Sequence, residues 1–125
     1  MKIAAIAAAV AFVAAPVFAR STGGWSRMKA ATDSDKKALT DALGKQANYE
    51  ADVKPHCFKA ISAIQTQVVA GTNTKYHVVA CKLEEVDPAG ECTADPNCPA
   101  LSYEIVVFTQ PWTSTTKVTS AKVQW

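Results

Sequence analysis

The apolar residues change their period once, at Pro55, and this change limits the possible folds more than any other feature of the chain. Upstream, Leu39, Ala42, Leu43, Ala47 and Val53 fall on one face of a helix, while Lys36, Lys37, Asp41 and Lys45 face away. Thr32 is suited to cap that helix, and Asp33 and Asp35 complement the positive end of its dipole. The spacing predicts a helix from Thr32 to Val53, weakened by about 1 kcal/mol at Gly44 relative to alanine and stopped ahead of Pro55. Downstream, four runs suit strands: 58–69, 74–82 (Tyr76, Val78 and Ala80 on one face), 101–109 (Tyr103, Ile105 and Val107), and 115–123. Glu84 to Pro99 carries Pro88, Gly90 and Pro96 and reads as a loop. One helix followed by consecutive strands predicts an α+β fold, an antiparallel sheet of four to five strands wrapped around one long helix.

Residues 1–19 read as a secretory leader and not as part of that fold. Lys2 supplies the charge, Ile3 to Ala15 the apolar run, and Val17-Phe18-Ala19 the small residues at a cleavage site. The run is too short to span a bilayer comfortably and has no stop-transfer pattern after it. The expectation is a secreted, extracellular domain over residues 20–125, with no membrane association after cleavage. Its size suits one domain with one core, expected to be a monomer. The whole chain has 13 basic residues, Lys2 among them, against 11 acidic ones. That balance points to neither nucleic acid nor a membrane surface.

All four cysteines, Cys57, Cys81, Cys92 and Cys98, follow the leader, so an oxidising compartment would join them as two disulfides. A hairpin turning at Val69 sets Gln67 opposite Gly71 and, by the same constant sum, Cys57 opposite Cys81. That register predicts a Cys57–Cys81 bridge and leaves Cys92 with Cys98.

Few residues invite a catalytic reading. His56 and Cys57 are adjacent, so in an extended chain their side chains point to opposite faces and cannot form a thiolate pair. His77 has no second histidine near it for a metal, and Cys92 and Cys98 lack the spacing of a redox pair. No enzyme, cofactor or metal is expected.

Three segments stand out instead. Gln67-Val68-Val69-Ala70-Gly71 falls at the first expected hairpin tip, Pro111-Trp112 at the next, and Gly23-Gly24 in a polar arm expected to be flexible. Each has an ordinary reading as a turn, a packing aromatic or a loose tail. In an up-and-down sheet, however, alternate tips emerge at the same end, so the segments would share one edge. Trp25 and Trp125 lack such a context and read as packing residues.

Gln67-x-Val69-x-Gly71 resembles the Gln-x-Val-x-Gly signature of the cystatins, inhibitors of papain-like cysteine proteases. Pro111-Trp112 is similar to their second-hairpin signature, and Gly23-Gly24 to the glycine of their N-terminal trunk. The order of the three and the intervening helix also match. The resemblance implies a reversible, competitive inhibitor that blocks a protease cleft through Gly23, Gly24, Gln67, Val68, Val69, Ala70, Gly71, Pro111 and Trp112. Gly71 would keep the first tip slim, Gln67 would brace it, and Trp112 on the second tip would be a rigid anchor for binding the protease. Secreted animal cystatins place both disulfides in the C-terminal half, whereas Cys57 precedes the first tip here. The cysteine layout is more similar to cystatin-like inhibitors of oomycetes, whose targets include host-plant proteases of the apoplast. The alternative is a secreted binding protein that keeps the fold and has lost inhibition.

Overall fold

The structure, a computed structural model, describes residues 24–86, 89–92 and 99–124. The leader expected at residues 1–19, Gly23, Cys98 and Trp125 lie outside the described residues. Helix α1 runs Asp33–Leu43, followed by strands β1 (His56–Val69), β2 (Gly71–Lys82), β3 (Gly90–Glu91), β4 (Leu101–Gln110) and β5 (Thr115–Val123). They form one sheet in the order β3-β1-β2-β4-β5. The fold is α+β.

Helix α1 starts where the sequence says it should. Thr32 accepts from the Asp35 amide, and Asp35 reaches back to the Thr32 N–H at 2.9 Å, closing a capping box. Its end corrects the expectation of a helix to Val53. Gly44 is the C-cap, its N–H bonded to the Thr40 carbonyl, and Lys45 is already extended. The freed carbonyls of the last turn find side chains from the next segment. Asn48 Nδ2 donates to Ala42 and the Tyr49 hydroxyl to Leu43, at 3.0 and 2.8 Å. These bonds need a chain that turns back across the helix end, so a separate 3-10 turn, Gln46–Asn48, replaces continued helix. Ala47, expected inside, is exposed, whereas Val53 still packs against the core.

The core lies between α1 and one face of the sheet. Leu39, Ala42 and Leu43 meet Phe58, Ile64, Tyr76, Val78, Ile105, Val107 and Val118, all buried. Along β2 and β4 these alternate with a period of two. Along β1 the inward residues Phe58, Ile61 and Ile64 are three apart, because register shifts fall between Phe58 and Ala60 and between Ile61 and Ala63. Each shift inserts a residue, bends β1 and increases its twist, so the strand curls around the helix.

Those shifts also divide the expected hairpin register. Cys57 does face Cys81, but Gln67 faces Asn73, and Val69 pairs with Gly71 across Ala70. The expected Cys57–Cys81 disulfide is not formed; Cys57 is bonded to Cys92, with Cα atoms 4.9 Å apart. The reason is that β1 has two neighbours. Short β3 runs parallel to β1, setting Gly90 beside Cys57, and the Cys92 N–H donates to the Phe58 carbonyl. Opposition across β2 is therefore not exclusive. The Cys57–Cys92 bond rules out the expected Cys92–Cys98 pair, and Cys81 is itself disulfide-bonded. Because β3 is parallel to β1, the sheet is mixed rather than wholly antiparallel.

The arm also departs from expectation. Lys29 pairs with Ile64 antiparallel, and the Ser26 N–H donates to the Thr66 carbonyl at 2.7 Å. Residues 26–29 therefore run along the edge of β1 rather than hanging loose.

Candidate functional site

The turn from β1 to β2 has a single residue, Ala70, at its apex. It is this tight because Gly71 adopts φ +123°, in the left-handed region that glycine alone enters cheaply. A Cβ at Gly71 would also lie 2.5 Å from the Thr109 carbonyl oxygen and 2.8 Å from Phe108 Cε1. The glycine thus lets β4 pass close beneath the tip. Gln67 braces the same hairpin, its Oε1 accepting from Asn73 Nδ2 at 2.8 Å. Beyond it Val68 and Val69 are exposed, Val68 by 58%.

The turn from β4 to β5 is a 3-10 turn, Pro111–Thr113, with Pro111 in its first positions and Ser114 in the left-handed region at its end. Proline suits the first turn, where its missing N–H is not needed. Trp112 at the centre of this turn is 70% exposed.

One side chain joins the two tips. Gln110 Nε2 donates to the Ala70 carbonyl at 2.9 Å, and Gln110 Oε1 accepts from the Thr113 hydroxyl at 2.7 Å. The first apex and the second turn are therefore neighbours. Sequence reasoning passed over Gln110; its only signal was its place just before Pro111.

The arm reaches the same end. It runs antiparallel to β1 with Ser26 beside Thr66, a course directed toward the first tip, and Gly24 lies two residues upstream of that last contact. Gly24 is exposed, and a Cβ there would meet nothing within 4 Å. Of the nine expected site residues, eight are described; the two turns that carry Gln67 to Gly71 and Pro111-Trp112 are neighbours, and Gly24 lies in the arm upstream of Ser26. Gly23 lies outside the described residues.

The rim that the two turns form is uncharged, and its exposed large side chains, Val68, Val69 and Trp112, are apolar. Neither 67–71 nor 110–113 nor 24–26 contains an ionisable side chain. Valines and an indole on narrow tips can displace water from another protein's groove without stranding a charge there. The thiol of Cys57 is committed to its disulfide, so it cannot act as a nucleophile beside His56. Among the described residues no cluster of three or more metal-ligating side chains forms. No helix among them is long and apolar enough to cross a membrane.

Comparison with known proteins agrees with the geometry, although no family model matches the chain. The chain is 31% identical over 105 residues to the cystatin-like cysteine protease inhibitor EPIC4 of Phytophthora infestans. The match covers 82% of this chain and 60% of that protein, so the chain spans under two thirds of its relative's length. Among solved structures, it resembles a salivary cystatin of the soft tick Ornithodoros moubata. The TM-score is 0.57 at 20% identity, covering 82% of this chain and 98% of that one. It also resembles mialostatin, a gut cystatin of the hard tick Ixodes ricinus. Here the TM-score is 0.55 at 20% identity, covering 81% of this chain and 97% of that one. The tick structures establish the fold, while the oomycete relative carries the kinship in sequence. The chain has the cystatin fold and is similar in sequence to a cystatin-like cysteine protease inhibitor.

Proposed function

We propose that this protein is a secreted, reversible, competitive inhibitor of papain-like cysteine proteases, which it blocks by lodging its rim in the active-site cleft. One observation supports this above the others. The exposed apolar residues Val68, Val69 and Trp112 sit on two slim turns that Gln110 ties together. A flat apolar patch would suit many partners, but two narrow prongs side by side suit a groove. Trp112 is the residue type in which binding energy concentrates, and Pro111 reduces the conformational freedom lost on docking. Kinship to a protein named as a cysteine protease inhibitor supports the same partner class. Inhibition by such a rim needs no covalent step, so the inhibitor leaves the complex intact. Secretion follows in this reading from removal of residues 1–19.

Titration of papain with the purified domain tests the proposal. The expected result is stoichiometric inhibition, reversed by dilution and by competing substrate, with the inhibitor recovered at unchanged mass. Full peptidase activity at a large molar excess would overturn it.

A further inference from the structure

The outer face of the sheet, opposite the core, carries a polar strip that the rim itself does not use. Gln65 of β1 pairs with Lys75 of β2, and His77 of β2 pairs with Glu104 of β4. These side chains share one face, and they converge on residues 25 and 26 of the arm.

Ser26 is held at each of its polar groups. Its N–H donates to the Thr66 carbonyl, its hydroxyl oxygen accepts from the Thr66 N–H, and its carbonyl accepts from Gln65 Nε2 at 2.9 Å. The Gln65 amide is fixed in turn. Its Oε1 lies 2.8 Å from His77 Nε2, and an amide oxygen only accepts, so the proton resides on His77 Nε2. His77 is 4% exposed, so this network runs from a buried ring through the half-buried Gln65 to the arm. Next to Ser26, the Trp25 ring lies over Lys75 with Nζ 4.3 Å from its centroid. The same ammonium lies 3.9 Å from Glu104. Lys75 is thus held near both an indole face and a carboxylate, each of which attracts it.

We infer that Trp25 and Ser26 form a lock that keeps the arm ordered along the edge of β1 and so delivers Gly24 to the rim before any partner arrives. Trp25 is a positioning residue, not a contact residue. Chain ends are normally the least ordered part of a domain, and ordering one on binding weakens affinity. A lock that orders the arm in the free protein removes that loss. The functional half of this inference rests on the inhibitor reading; the structural half does not.

Amide exchange tests the lock directly, in the full chain without its leader. Lys75→Met keeps the side chain's length and removes its charge. It should speed exchange of the Ser26 and Thr66 amides at least about two- to fivefold, the range for losing an exposed cation–π contact and so a lower bound for this half-buried one. The core amide of Ile105 should be unaffected, and Lys75→Arg, which retains the cation, should restore slow exchange. Trp25→Ala should match Lys75→Met. Unchanged exchange at Ser26 in both variants would overturn the lock. Exchange follows the open population and association the ordered one, so the association rate with papain in Lys75→Met should fall in proportion to the ordered fraction that the exchange rates give, while the melting temperature stays level. An association rate that departs from that proportion would overturn the delivery role. If the unaltered protein fails to inhibit papain, the inhibitor reading falls, and the exchange result still decides the lock.

Discussion

At Gly71 two independent constraints meet, a backbone at φ +123° and the Thr109 carbonyl in the space a Cβ would fill. Gly71→Ala should therefore cost about 1–3 kcal/mol of stability, read as a lowered denaturation midpoint. Trp112 presents the opposite case. Its side chain is mostly in solvent, so Trp112→Ala should leave the melting temperature unchanged. Binding to papain should still weaken by about 2 kcal/mol, roughly thirtyfold, if the indole is an anchor. His56 gives a third test at this scale. It is 2% exposed, its Nδ1 bonded to the Lys54 carbonyl and its ring edge-on to Tyr103. Burial holds its pKa below the ordinary 6.5, helped by the charge of Lys82 and opposed by the Lys54 carbonyl bond. The folded state thus prefers the neutral ring, and the unfolded chain takes up the proton first as pH falls. Stability from this site is complete above 6.5 and is lost as pH drops through the lowered folded value. Melting temperatures at about pH 7.5 and about pH 5 should diverge less in His56→Phe than in the unaltered protein.

Among the elements, those read correctly from sequence have a local cause. Thr32 and Asp35 carry the helix start within four residues, and alternation in β2 and β4 is visible wherever one face is buried. The misread features depend on partners distant in sequence. The last carbonyls of α1 are capped from Asn48 and Tyr49, which a helical pattern continuing through Ala47 conceals. The short β3 has too few residues to show any period, so the second neighbour of Cys57 was invisible and the opposing Cys81 looked decisive. Peptide mapping under non-reducing conditions should link Cys57 to Cys92; a Cys57–Cys81 peptide would contradict the structure. This bridge joins residues 35 apart. In the chain-entropy account its loss, in Cys57→Ser with Cys92→Ser, should cost about 4 kcal/mol.

For the molecule as a whole, the sequence carried the end-to-end plan. A helix followed by an up-and-down sheet implies that the two tips emerge together, whereas the pairing of the arm with β1 was not visible in a segment that reads as flexible. Gln67, Val69, Gly71, Pro111 and Trp112 were legible because the family's signatures name them. Gln110 and Trp25 were not, because what they do depends on contacts 40 and 50 residues away, with Ala70 and Lys75 respectively. The central claim is that one end of the molecule binds and the other does not. Its most direct test compares papain inhibition constants for a rim substitution, Val69→Asp, and a substitution at the far end of the sheet, Lys82→Ala. The account predicts a loss of at least about thirtyfold for Val69→Asp, whose buried carboxylate would find no partner. For Lys82→Ala it predicts a change within about twofold, as for surface positions remote from an interface. Equal losses in both variants, or a loss in Lys82→Ala alone, would contradict it.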